Sequence, residues 1–187
     1  RPAMKHLLKT VTLGLALSTS LQTSTLLAAE PAATTAEQTQ PAVGQKTEVT
    51  WKNVPTQTIS AGDLNFAYRE LGKHNGGTPV VLLTHLAAVL DNWDPRIVDG
   101  IAAKHHVIAF DNRGIGASSG SPSNSIEQMA DDAIVFIKAM GLQKVDVLGF
   151  SLGGMVAQEV VLKEPQLVRK MVLAGTGPAG GEGISSV

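Results

Sequence analysis

The stretch Val145-Asp146-Val147-Leu148-Gly149-Phe150-Ser151-Leu152-Gly153-Gly154 decides how this chain is read. Val145, Val147 and Leu148 predict a buried strand, and Leu152 to Lys163 predicts a helix that stops near Pro165. Between them lies a Gly-x-Ser-x-Gly pattern, the arrangement that forces a serine onto a sharp strand-to-helix turn and exposes its hydroxyl. A side chain at 149 or 153 would collide with the adjoining strand or helix. Ser151 is therefore a candidate nucleophile, and the helix beginning at Leu152 aims backbone N–H groups at the same spot, where they would stabilise an oxyanion. The plainer alternative is a serine that only caps a helix.

Working upstream, Pro79 to Leu83 and Val107 to Phe110 are short runs of consecutive apolar residues, which implies strands covered on both faces. Asp94 and Pro95 read as cap and first residue of a helix carrying Ile97, Val98, Ile101 and Ala102 on one stripe. A longer helix is predicted from Ile126 to Met140, with Ser125 as cap, Gln128 completing a capping box and Gly141 ending it. Met171 to Ala174 reads as a further strand. Val54 to Leu71 reads as a hairpin turning at Ala61-Gly62-Asp63 with one wet face. Buried strands alternating with one-sided helices predict an α/β fold with a mostly parallel sheet and helices on both faces. In such sheets the loops at the carboxyl ends of the strands hold the chemistry.

Two of those loops add candidates. His85 follows the first buried strand, and the Leu86 amide is placed to be the second oxyanion donor; the His85 ring itself reads as a structural group that holds the loop. After the second buried strand, Asp111 and Arg113 are predicted to bind backbone groups and each other, bracing the serine turn. Gly114, Gly116 and Gly120 have the wrong spacing for a dinucleotide fingerprint, with no helix opening behind them. His74, His105 and His106 have no metal-ligand spacing. Neither a cofactor nor a metal is expected.

These residues resemble the alpha/beta-hydrolase superfamily, in particular its lipase, esterase and non-haem haloperoxidase (perhydrolase) branch. The likeness is carried by Leu82 to His85, by Asp111 to Gly120 (DNRGIGASSG), by Gly149 to Gly154 (GFSLGG) and by Leu173 to Pro178 (LAGTGP). It implies Ser151 as nucleophile, oxyanion amides from Leu152 and Leu86, and Trp93 either near the substrate mouth or in the core. Relatives often carry Gly where this chain has Leu86, so the space over the oxyanion is expected to be narrow. A serine at 151, in place of the aspartate of dehalogenases and epoxide hydrolases, points to ester, thioester or amide substrates through an acyl-enzyme.

The superfamily orders its triad as serine, acid, histidine. The 36 residues after Ser151 contain Glu159, Glu164 and Glu182, and no aspartate or histidine. The expectation is a hydrolase fold truncated before its last strands and inactive for want of acid and base. The competing reading is a non-catalytic binding or assembly protein that keeps the front of the fold.

Composition narrows the partners. The chain has 187 residues, 43% of them hydrophobic, with a net charge of -1, no cysteine and one tyrosine, Tyr68. That balance does not favour nucleic acid, and leaves a small acyl compound as the expected partner. Residues 4–29 have the basic, apolar and small-residue order of a secretory signal, and 30–48 the Ala, Thr, Gln and Pro content of a flexible linker, so the hydrolase-like part is taken as 49–187. A periplasmic or secreted location follows as an expectation, without stable membrane insertion once the signal is removed.

Overall fold

The apolar runs at 80–83, 107–110 and 145–150 become neighbouring strands of one sheet in a computed structural model that describes residues 48–181. The predicted signal and nearly all of the predicted linker lie outside the described residues, as does Glu182. The strands are β1 (Gln57–Ala61), β2 (Leu64–Leu71), β3 (Val80–Leu83), β4 (Val107–Phe110), β5 (Val145–Phe150) and β6 (Val168–Ala174). The helices are α1 (Pro95–Ala102), α2 (Ile126–Ala139) and α3 (Leu152–Lys163). In space the strands run β1-β2-β4-β3-β5-β6. Neighbours among β4, β3, β5 and β6 pair in parallel, while β2 pairs antiparallel with both β1 and β4.

Consecutive apolar residues in β3 and β4 are explained by a core on each side. Val81, Leu83, Ile108 and Phe110 face α2 and α3, together with Phe66, Phe136, Val147 and Val156. Leu82, Val107 and Ala109 face the other way, toward α1, Trp51, Leu90 and Trp93. Helix α1 begins as the sequence suggests, with Asp94 accepting from the Arg96 amide at 2.8 Å. At α2 the Ser125 hydroxyl accepts from the Gln128 amide at 3.1 Å, but it donates to Glu127 at 2.9 Å, so the reciprocal half of the predicted capping box is replaced by a nearer carboxylate.

Three local readings change. The hairpin has a shorter first strand than Val54 to Ala61, because Thr50 to Val54 forms a turn whose Trp51 is buried and donates its indole N–H to the Leu90 carbonyl at 3.1 Å. The supposed wet face of β2 is covered at Ala67, where the loop after β4 folds back: Ser118 Oγ accepts from the Ala67 amide at 3.0 Å, and the Ala67 carbonyl accepts from Asp111 N–H at 2.9 Å. The last strand starts at Val168 rather than Met171, with a register shift beside Val145 and Asp146 where Arg169 turns to pair with Asp146. No helix among the described residues is long and apolar enough to cross a membrane.

Candidate active site

Because Leu83 pairs with Gly149 in the parallel β3–β5 ladder, the residues that follow each strand emerge at the same end of the sheet. His85 and Ser151 therefore share the carboxyl edge, and the His85 ring packs edge-on against Phe150 with centroids 5.6 Å apart.

Ser151 is the N-cap of α3 at φ 52° and ψ -118°. Only Ala87 shares a positive φ among the described non-glycine residues. A non-glycine residue held in that region stores on the order of 1–3 kcal/mol, and the surrounding contacts explain why it stays there. The Ser151 amide donates to the Ala174 carbonyl at 3.0 Å, and its carbonyl accepts from Gly154 N–H at 2.9 Å and from the Thr176 hydroxyl at 2.6 Å. The serine turn is thus fixed from three directions, with Ser151 partly exposed.

The glycines let backbone meet backbone. A Cβ on Gly153 would overlap the Leu83 carbonyl, one on Gly154 would overlap the Thr176 side chain, and one on Gly149 would overlap Gly153 and Gly154. Helix α3 can consequently sit with its first turn against the end of β3. Neither the Leu152 nor the Leu86 amide donates to a protein acceptor among the described residues. Unpaired N–H groups near a partly exposed serine are what an oxyanion site requires.

The other predicted residues fall into place unevenly. His85 Nδ1 lies 3.1 Å from the Leu86 carbonyl, a hydrogen bond in the tautomer protonated at Nδ1. Leu86 is 71% exposed and lines one pocket together with Leu152. Trp93 is buried with Trp51 and Val98 and belongs to the core beneath α1. Asp111 is buried and accepts from the Leu90 amide at 2.8 Å and the Ala117 amide at 3.1 Å, fastening the loops after β3 and β4 to each other. Arg113 does not pair with Asp111. It makes a bidentate pair with Asp132 of α2, at 2.9 and 2.6 Å, because the turn at Asn112 to Ile115 carries its side chain away from the Asp111 carboxylate and onto the helix. That pairing raises the Arg113 pKa above its ordinary value, the hydrogen bond to Asp132 being the largest cause.

Thr176 and Asp132 were not singled out from the sequence. The LAGTGP segment gave a signal for Thr176, since a hydroxyl just past a strand that ends beside the serine turn can reach it. Asp132 offered none beyond its place in a helix with a polar face. His106, at the opposite end of the sheet, is buried and hydrogen-bonds Glu70 at 2.8 Å. No group of three or more metal-ligating side chains occurs among the described residues, and none of their histidines hydrogen-bonds the Ser151 hydroxyl.

A sheet of this order with a strained serine between β5 and α3 defines a class. The chain belongs to the alpha/beta hydrolase fold family, whose model matches residues 78–184. It is 33% identical over 114 residues to a Mycobacterium tuberculosis protein provisionally named a non-heme bromoperoxidase, covering 60% of this chain and 42% of that one. It is 33% identical over 101 residues to an Azorhizobium caulinodans protein provisionally named a carbamate hydrolase, covering 54% and 38%. Among solved structures, an alpha/beta hydrolase fold protein from Chitinophaga pinensis matches with a TM-score of 0.65 and 38% identity, over 67% of this chain and 45% of that one. The chain spans about two fifths of the length of these curated relatives.

Proposed function

We propose that this chain carries the nucleophile and oxyanion half of a serine hydrolase acting on carboxylic esters or related acyl compounds. The observation that supports it most is the Ser151 turn, strained at φ 52°, partly exposed, and flanked by the unpaired amides of Leu86 and Leu152. In the reaction Ser151 Oγ forms a bond to the acyl carbon as its proton passes to a general base. The carbonyl oxygen gains negative charge facing the two amides, and the leaving group departs with a proton. Water then adds to the acyl-enzyme, and the carboxylic acid leaves as Ser151 regains its proton. If hydrogen peroxide takes the place of water, the same acyl-enzyme yields a peracid. The M. tuberculosis relative's name is compatible with that variant.

The base and its acid partner are proposed to come from sequence other than residues 48–181, which agrees with the share of the relatives that this chain spans. Export belongs to the same proposal, supported by the order of residues 4–29. Reading the downstream frame of the source gene tests the first point directly, an aspartate and a histidine being expected. Expressed at the relatives' length, the protein should label with a fluorophosphonate, and the Ser151→Ala variant should not. A stop codon directly after Val187 together with an unreactive Ser151 would favour the non-catalytic binding protein.

A further inference from the structure

The loop after β3, the loop after β4 and the start of α2 enclose a pocket of about 210 Å³. Leu86, Ile115, Pro122, Met129 and Leu152 supply its apolar wall, so the two residues whose amides are free also form one side of it. Arg113 reaches the wall too, but its Nε and Nη2 are taken up by Asp132. The wall is held rigidly: Ile115 sits in a turn closed by its amide to the Asn112 carbonyl at 2.9 Å and by Ser118 N–H to its own carbonyl at 3.1 Å, and Met129 stands one turn inside the capped end of α2.

Two features decide what such a pocket takes. An acyl chain stays attached to the serine through both half-reactions, whereas the leaving group must escape toward solvent, so a fixed apolar recess beside the oxyanion amides suits the acyl chain. Sites for drug-sized ligands run to roughly 300–1,000 Å³, and this one is smaller.

We infer that the pocket is the acyl-chain subsite of the reaction proposed above, that it selects short, unbranched, uncharged acyl groups, and that Ile115 and Met129 set the length it accepts. The inference rests on the acyl-transfer reading. Its test therefore reads binding separately from turnover.

The protein expressed at the relatives' length, labelled with ¹³C at its methionine methyl groups, is titrated with butyramide and with octanamide. Butyramide should shift the Met129 methyl saturably, with octanamide, four methylenes longer, binding about ten-fold or more weakly, since even one misfitting methylene in an apolar pocket is worth roughly 10–200-fold. Ile115→Trp, which fills the recess, should abolish the shift, and Ile115→Ala should bring octanamide close to butyramide. The Ile115→Ala variant keeps the test valid if the tryptophan variant does not fold. Turnover of p-nitrophenyl acetate, butyrate and octanoate is measured alongside. Ile115→Trp should lower kcat/KM for butyrate about ten-fold more than it lowers kcat/KM for acetate.

A Met129 methyl that ignores butyramide overturns the inference, as does equal affinity for the two amides or an Ile115→Ala variant with unchanged preference. A length-selective shift with no turnover of any ester leaves the short-chain site standing and removes the acyl-transfer reading instead.

Discussion

The Thr176 hydroxyl donates to the Ser151 carbonyl at 2.6 Å, while the rest of its side chain packs against Gly154. A residue two positions beyond β6 thereby closes the serine turn from outside and fills the space that the glycine leaves. Both functions fall on a side chain that carries no chemistry of its own.

Thr176→Val separates them, because valine keeps the packing and removes the donor. The Ser151 carbonyl retains Gly154 N–H as a partner, so the loss should be that of one hydrogen bond, about 1 kcal/mol. For a domain of this size that corresponds to a fall in Tm of about 3–5 °C, read by thermal unfolding. An unchanged Tm would mean that the 2.6 Å contact adds nothing in solution.

Strain at Ser151 predicts a gain in stability where function is removed. Glycine adopts φ 52° without the steric penalty that serine bears, so Ser151→Gly should stabilise the fold by about 1 kcal/mol after allowing for glycine's greater unfolded-state entropy. Ser151→Ala keeps a Cβ and should show no such gain. Urea unfolding of both variants checks the pair, and equal midpoints would remove backbone strain as an explanation of this turn.

Two glycine-to-alanine substitutions should have opposite signs. Gly153 is in the first turn of α3, where an added Cβ meets the Leu83 carbonyl, and the backbone there has no flexible side chain to move aside. Gly153→Ala should cost about 3 kcal/mol or more. Gly100 lies inside α1, with nothing within 4 Å of an added Cβ, so Gly100→Ala should gain about 0.5–1 kcal/mol from helix propensity. The comparison is made on denaturant midpoints with m-values held equal.

Much of this architecture is legible in sequence because its signals are local. Runs such as Val80 to Leu83 can be satisfied only between two covered faces, and Ser125 with Gly141 brackets α2 within its own residues. The Ser151 turn is legible for the same reason, as a dense pattern whose glycines are demanded by neighbours a few positions away. What escapes is held by contacts distant along the chain. Sequence proximity pairs Arg113 with Asp111, two positions away, but the folded loop gives it Asp132, nineteen positions on. Trp51 is anchored to Leu90, and Ala67 is covered by Ser118, neither of which periodicity can reveal. The early start of β6 was hidden because Arg169 and Lys170 interrupt its apolar run, and Arg169 is paired with Asp146, twenty-three positions back.

At the far end of the sheet, Glu70 predicts an acid-sensitive link between β2 and β4. Burial alone would push its carboxyl above the ordinary value of 4.5, yet the hydrogen bonds from His106 and Lys73, with their charges, outweigh burial and hold it below that value. Both side chains of the Glu70–His106 pair are nearly buried, at 13% and 10% exposure, so solvent screens the pair only in part. A carboxyl depressed by folding contributes stability that is present above its unfolded pKa and is lost as pH falls through the folded one. The stability difference between the native chain and Glu70→Gln should therefore be present in full above the ordinary glutamate value and should begin to shrink once pH drops below it. Urea unfolding of both proteins from pH 7 to pH 3 reads that difference, and His106→Gln should reduce it at neutral pH. A difference that grows as pH falls below the ordinary glutamate value would show the opposite sign of shift, with burial and not pairing in control of Glu70.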